Sequence, residues 1–274
     1  MKKETPAGTI LVTLILCIVC SVLVSFSAVY LKPVQEKNRQ LDIKKNLLIA
    51  AQLIENLNVT EAIINEAYKK IETKIVDLAS GLYNTTINPS EFDQAKAARD
   101  SELSKSIDSS LDVAGIKKRE NFSKVYFVKN YSKPDQFKPD QFKTDQVIFP
   151  IYGKGLWSTM YGFIALTPDF KTIKGITFYS HGETPGMGGE IENPFWQRLW
   201  IGKRVYDDDL NVLFDIVKGK VSKGVDNIES KIDGISGATL TGNGVENTIH
   251  YWFGKDGFLK FIKNEIQKQG GDRT

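Results

Sequence analysis

From Gly8 to Leu31 the chain carries no charged residue: GTILVTLILCIVCSVLVSFSAVYL. As a helix, these 24 residues span roughly 36 Å, enough to cross a ~30 Å hydrocarbon core with some tilt. Lys2 and Lys3 precede the run, and Lys32 with Pro33 closes it. A cleavable signal peptide has an apolar region of only ~7–15 residues. Ser25-Phe26-Ser27 could serve as a cleavage site, but the length favours a retained transmembrane helix. Lysines flank both ends, so charge alone leaves its orientation open.

The pattern then changes period. Leu41, Leu47, Leu48, Ala51, Ile54 and Leu57 form one helical stripe. Thr60 can cap a second helix, carrying Ile63, Ile64, Ala67, Ile71, Ile75 and Leu78 and ending at Gly81. Residues 82–122 are polar and mixed, a loop with a short helix near Asp93–Ser106. Strand signals follow from Lys124: KVYFV, QVIFPIY, MYGFIALT, TIKGITFYS and, later, VLFDIVK. Asn193–Ile201 reads as a short helix with proline in its first turn. Thr241–Glu265 reads as one or two helices, broken at Gly254–Gly257. Between 133 and 145, Lys-Pro-Asp-Gln-Phe occurs twice, which is too short for a solenoid and predicts an extended surface loop. The whole predicts an α+β chain: a single N-terminal transmembrane helix (1–33), a helical lead-in (34–120) and an antiparallel-sheet domain (121–274).

Composition narrows the chemistry. A net charge of +3 over 274 residues, with acidic residues between the lysines, describes a solvated surface and not a nucleic-acid partner. Both cysteines, Cys17 and Cys20, lie in the apolar run and read as packing residues despite their CxxC spacing. With only His181 and His250 besides, no zinc or haem centre from this chain alone is expected. Redox chemistry would need an organic cofactor or a partner.

The segment Asp233-Gly234-Ile235-Ser236-Gly237-Ala238-Thr239-Leu240-Thr241 surrounds hydroxyls with small residues, so a large group can approach the backbone. A helix is predicted to start at Gly242 or Asn243, and a helix N-terminus suits a phosphate. An ordinary capping turn fits the same residues. Upstream, His181-Gly182-Glu183-Thr184-Pro185-Gly186-Met187-Gly188-Gly189-Glu190 is a side-chain-poor loop that could lie against a flat ring or simply turn. In Tyr152-Gly153-Lys154-Gly155-Leu156-Trp157-Ser158, Lys154 could offset a negative charge and Trp157 could cover a ring face. Either could equally be a hairpin residue. Trp196, Trp200 and Trp252 read as packing residues, and His181 as a loop residue without a catalytic role.

These three motifs, in this order, resemble the FMN-binding domain shared by the C subunit of the sodium-translocating NADH:quinone oxidoreductase and the G subunit of the Rnf complex. The Asp-x-x-Ser/Thr-Gly-Ala-Ser/Thr motif of that family is read by a flavin transferase, which moves FMN from FAD onto the last hydroxyl with Mg²⁺. The resemblance therefore implies covalent FMN on Thr239, with Asp233, Ser236, Gly237 and Ala238 completing the motif. It places Glu183, Thr184, Met187 and Gly188 along the flavin, Met187 standing where leucine is usual, and brings Lys154 and Trp157 to the site. YGKGLWS together with GETPGMGGE and NPFW favours the C subunit of the sodium pump. The implied role is an electron relay in a six-subunit, sodium-exporting inner-membrane complex passing electrons from NADH to ubiquinone, with the flavin domain on the periplasmic side. The implied partners are the other subunits, the transferase and membrane lipid. No acid–base or nucleophilic catalytic group and no metal site is implied. The alternatives are the Rnf-type G subunit and an anchored FMN-binding regulatory module.

Overall fold

The computed structural model describes residues 5–55, 59–134 and 142–271. It divides into two units, 1–43 and 44–274.

The first unit is helical. Helix α1 (Pro6–Ala50) runs through Pro33 without ending there. Its best 18-residue window has a mean hydropathy of 2.8, and none of that window is buried within the protein. Hydroxyls in this stretch are satisfied along the helix itself: Thr13 donates to Thr9 O (2.9 Å), Ser21 to Cys17 O (2.7 Å) and Ser27 to Leu23 O (2.8 Å). Such back-bonding is what a helix needs where no water is available.

In the second unit, the last turns of α1 end in a Schellman motif. Leu53 N–H reaches Leu48 O and Gln52 N–H reaches Ile49 O (both 2.9 Å), with Gln52 in the left-handed region at φ 55°. Helix α2 (Glu61–Tyr68) starts, as expected, at Thr60, whose hydroxyl accepts Ile63 N–H. It stops at Tyr68, thirteen residues short of the expected end at Gly81. Residues Ile71–Asp77 form strand β1 and pair along their whole length with β5 (Phe122–Pro134). The spacing of Ile71, Ile75 and Leu78 fits a helix, but Ile71, Thr73, Ile75 and Val76 are β-branched, and a waiting sheet edge decides the outcome.

The expected short helix in the polar stretch is one turn, α3 (Gln94–Ala97), capped by Asp93. Around it lie β2 (Leu82–Asn84) and the antiparallel pair β3 (Ser104–Ser106) and β4 (Lys118–Glu120). The four main expected strands are present, with β6 at Phe142–Lys154, β7 at Thr159–Leu166 and β8 at Ile173–Ser180. They build one antiparallel sheet in the order β2-β1-β5-β6-β7-β8. The flanks of the pentapeptide repeat belong to β5 and β6, not to a loop, and residues 135–141 lie outside the described residues.

Both sheet faces are covered, and the alternation of side chains assigns each strand residue to one of them. One face carries Val147, Phe149, Ile164, Ile176 and Phe178 into the main core, with Val245, Ile249, Trp252, Phe261 and Ile262 from α5 (Thr239–Trp252) and α6 (Leu259–Gly271). The opposite face lies under the end of α1. Thr177 Oγ1 donates to Asn46 O (3.0 Å) and Gln146 Nε2 to Ala51 O (2.7 Å). A Cβ on Gly175 would stand 2.4 Å from Ala50 O, so this helix end needs glycine in β8.

Helix α4 (Pro194–Arg198) begins at Asn193, which caps Phe195 N–H (2.9 Å), with proline at its first position. Of the expected strand VLFDIVK, only β9 (Asp215–Val217) forms, paired in parallel with β10 (Lys231–Asp233). Its leading residues pair elsewhere, Val212 with Tyr206 and Leu213 N–H with Val205 O (2.9 Å). Helix α5 starts at Thr239 and not at Gly242 or Asn243.

One carboxylate is sealed inside this unit. Glu120, at 0% exposure, accepts the Tyr152 hydroxyl and the Gln94 amide (2.6 Å each), and the neighbouring Arg119 donates to its main-chain carbonyl (2.7 Å). Burial outweighs these partners and pushes the carboxyl up to about 6 from 4.5. The folded chain thus holds this proton more tightly than the unfolded chain. The resulting stabilisation is complete below pH ~4.5 and is lost as pH rises through ~6. Denaturant unfolding of wild type and Glu120→Gln should show the wild-type advantage shrinking by about 2 kcal/mol between pH 4 and pH 7.5. A pH-independent difference would show that Glu120 titrates normally.

Candidate functional site

Strand β10 leads into a turn that is held from three sides. Asp233 Oδ1 accepts Val221 N–H (2.8 Å), its carbonyl accepts the Trp196 indole N–H (3.0 Å), and Gly234 N–H reaches Gly219 O (2.8 Å). A Cβ on Gly234 would lie 2.4 Å from Val217 O. Ala238 N–H closes the following turn on Ile235 O (3.1 Å), with Gly237 at φ +72°. Such a turn needs a left-handed third residue, hence glycine.

Ala238 is the N-cap of α5 and has no side chain to cap it; Gly242 N–H, bonding Ala238 O at 2.9 Å, opens the helical ladder. Helix starts of this kind present N–H groups and partial positive charge to an anion. Thr239 occupies the first helical position and is exposed, as are Ser236 and Leu240. Thr241, two residues on, is 1% exposed. Successive helical residues turn by ~100°, so these two threonines point ~200° apart about the axis.

Thr241 donates to Glu183 Oε2 (2.6 Å). The same carboxylate accepts three successive backbone amides: Leu156 on Oε2 (3.2 Å), and Trp157 (2.9 Å) and Ser158 (3.3 Å) on Oε1. Glu183 is only 4% exposed. Burial opposes its ionisation, but the Thr241 hydroxyl and the three amides prevail and hold the carboxyl below its ordinary range. Room for it comes from glycines. A Cβ on Gly155 would stand 2.5 Å from Glu183 Oε1, and one on Gly188 would stand 3.0 Å from Oε2 and 2.5 Å from Thr241 Oγ1. Gly244 serves the helix in the same way, since its Cβ would lie 2.5 Å from Lys154 O.

The remaining predicted residues are less tied. Thr184 is exposed, and its carbonyl accepts the amides of Met187 (3.1 Å) and Gly189 (2.9 Å) around Gly186 at φ +74°. Exposed Met187 reaches toward the Ile235–Ala238 turn, its Cε 3.7 Å from where a Gly237 Cβ would be. Lys154 turns its ammonium back to Trp157 O (3.3 Å), and the Trp157 side chain is 66% exposed. His181 is held locally, Nδ1 accepting Glu183 N–H (3.1 Å) and Nε2 lying 2.9 Å from Glu192.

The structure thus gathers Glu183, Gly188, the Trp157 backbone and the start of α5, with Met187 beside Gly237. Sequence reasoning did not single out Thr241, Gly155 or Gly244 as parts of this arrangement. Gly155 and Thr241 lie within two of the quoted motifs and Gly244 just beyond the latter, with nothing local to show what they contact.

The FMN-binding domain family model matches residues 155–254, which hold both loops and the turn before α5. Over 262 residues the chain is 44% identical to the C subunit of the Na(+)-translocating NADH-quinone reductase of Yersinia pestis, covering 96% of this chain and 94% of that one. The Pseudomonas aeruginosa protein of the same name is 42% identical over 263 residues, covering 96% and 97%. The crystal structure of NqrC from Shewanella oneidensis superposes with a TM-score of 0.73 at 35% identity, covering 85% of this chain and 99% of that chain. Matches of this extent favour the sodium-pump C subunit over the Rnf-type G subunit. The chain belongs to the NqrC family, the C subunits of Na(+)-translocating NADH-quinone reductases, as one component of a multi-subunit oxidoreductase with an FMN-binding domain.

Proposed function

We propose that FMN is joined by a phosphoester to Thr239 and that the chain relays electrons between redox centres on the way from NADH to ubiquinone, coupled to Na⁺ export. The observation that carries this reading is the contrast between two threonines on one helix start. Thr239 is exposed beside uncapped amides, while the Thr241 hydroxyl is buried on Glu183. A phosphate esterified to Thr239 would meet those amides and the positive end of α5.

The residues fit the group. Gly237 and Ala238 add almost no bulk next to Thr239, and exposed Met187, Trp157 and Leu240 offer apolar surface for a ring system. In the attachment step, Thr239 Oγ1 would form a bond to the FMN phosphorus of FAD and give up its proton as AMP leaves, catalysed by an Mg²⁺-dependent flavin transferase. Asp233 keeps the motif in its turn through Val221, and Ser236 stays open to the transferase. Thr184, Met187 and Trp157 would flank the ring, and Lys154 would add positive charge near it. FMN, when bound, supplies one- and two-electron chemistry. The protein positions it, and a covalent bond prevents its loss.

The long apolar helix supports an anchor in the inner membrane, with lipid around residues 8–31. We place the flavin domain on the periplasmic side, among the other subunits of a six-subunit complex.

Co-expression with a flavin transferase should add one FMN mass to the intact chain and give in-gel fluorescence after denaturation. Thr239→Ala should abolish both, and retained label would overturn the assignment. Deleting residues 1–33 should release the remainder from membranes into the soluble fraction; a chain still sedimenting with membranes would refute the anchor.

A further inference from the structure

We infer that Glu183 is a positioning residue, fixing the Leu156–Ser158 loop and its Trp157 against the start of α5 instead of touching the flavin itself. The inference rests on the reading of Thr239 as the flavin site. An ionised carboxylate offers about four acceptor positions. Here all are taken, by the amides of Leu156, Trp157 and Ser158 and by the Thr241 hydroxyl. With 4% exposure, no acceptor capacity remains for a cofactor.

The loop glycines carry the same message. Gly155 and Gly188 leave space that the Glu183 carboxylate fills, so at these two positions the missing side chain serves the glutamate and not a flat ring. Three consecutive amides converging on one anion form a nest, which suits a full negative charge and not a neutral group. Through it three chain segments become one body: the β6–β7 connection, the 181–190 loop and α5. Trp157 and Thr239 then keep a fixed separation, because the backbone of one and the helix of the other grip opposite oxygens of a single side chain.

Glu183→Gln is the informative change. It keeps the shape, but one oxygen becomes an NH₂ group pointing at N–H or O–H donors. Two forms of the full chain in detergent separate the claims. In unloaded Thr239→Ala chains, Glu183→Gln should speed hydrogen exchange at the Leu156, Trp157 and Ser158 amides by about tenfold or more. Strand amides of Val147–Ile151 should stay protected, which controls for folding. In transferase-loaded chains with Thr239 intact, carrying one flavin by intact mass, the same substitution should collapse the visible circular dichroism of the flavin toward that of free FMN.

Unchanged exchange at the three amides would overturn the inference, whatever the flavin does. Faster exchange with unchanged dichroism would overturn the positioning role. Failure of the wild-type chain to take flavin on Thr239 would instead sink the attachment reading, and the amide measurement would be unaffected. Thr241→Val removes only one of the four bonds and serves if the glutamine variant does not fold. In that variant the dichroism should fall at full loading, and an unchanged band would again count against Glu183.

Discussion

A buried carboxylate is costly unless its charge is met by donors. Glu183 meets that condition with groups from sequence-distant segments, three amides more than twenty residues before it and a hydroxyl on a later helix. The site's local geometry depends on this one requirement. The 181–190 loop must enter beneath α5, the β6–β7 connection must turn its amides inward, and glycine must stand at 155 and 188. The ion's lowered proton affinity follows from the same set of donors.

Close approach is the second constraint. Helix α5 lies against the end of β6 because neither element has a side chain in the way. A Cβ on Gly153 would stand 2.0 Å from Thr248 Oγ1, and one on Gly244 would stand 2.5 Å from Lys154 O. The Trp252 indole then bonds Tyr152 O at 2.7 Å. The end of the strand, Tyr152–Lys154, is therefore held against the helix at Gly244, Thr248 and Trp252, which makes the helix start a firm platform.

Much of this was legible because its signals are local. The apolar run, strands β5 to β8, the Thr60 and Asn193 caps and the hydroxyl-bearing turn all announce themselves within a dozen residues. Strand β1 was not legible, because Ile71, Ile75 and Leu78 recur at helical spacing and their pairing partner is about fifty residues away. The start of α5 was misplaced because its N-cap, Ala238, has no capping side chain, and the usual rule pointed past it to Asn243. Glu183 was recognised, but its hydrogen-bond partners were not. Nothing near position 183 shows that its carboxylate is consumed by residues 156–158 and 241.

The opposed threonines of α5 are made different by folding alone. In an unfolded chain, the hydroxyls of Thr239 and Thr241 are both open to solvent, two residues apart in a segment of small residues. Only after the helix has formed and Glu183 has claimed the inner hydroxyl does one of them stand alone at the surface. The fold thus sorts two neighbouring hydroxyls into an inner and an outer one, and the distinction is carried by the phase of a single helical turn.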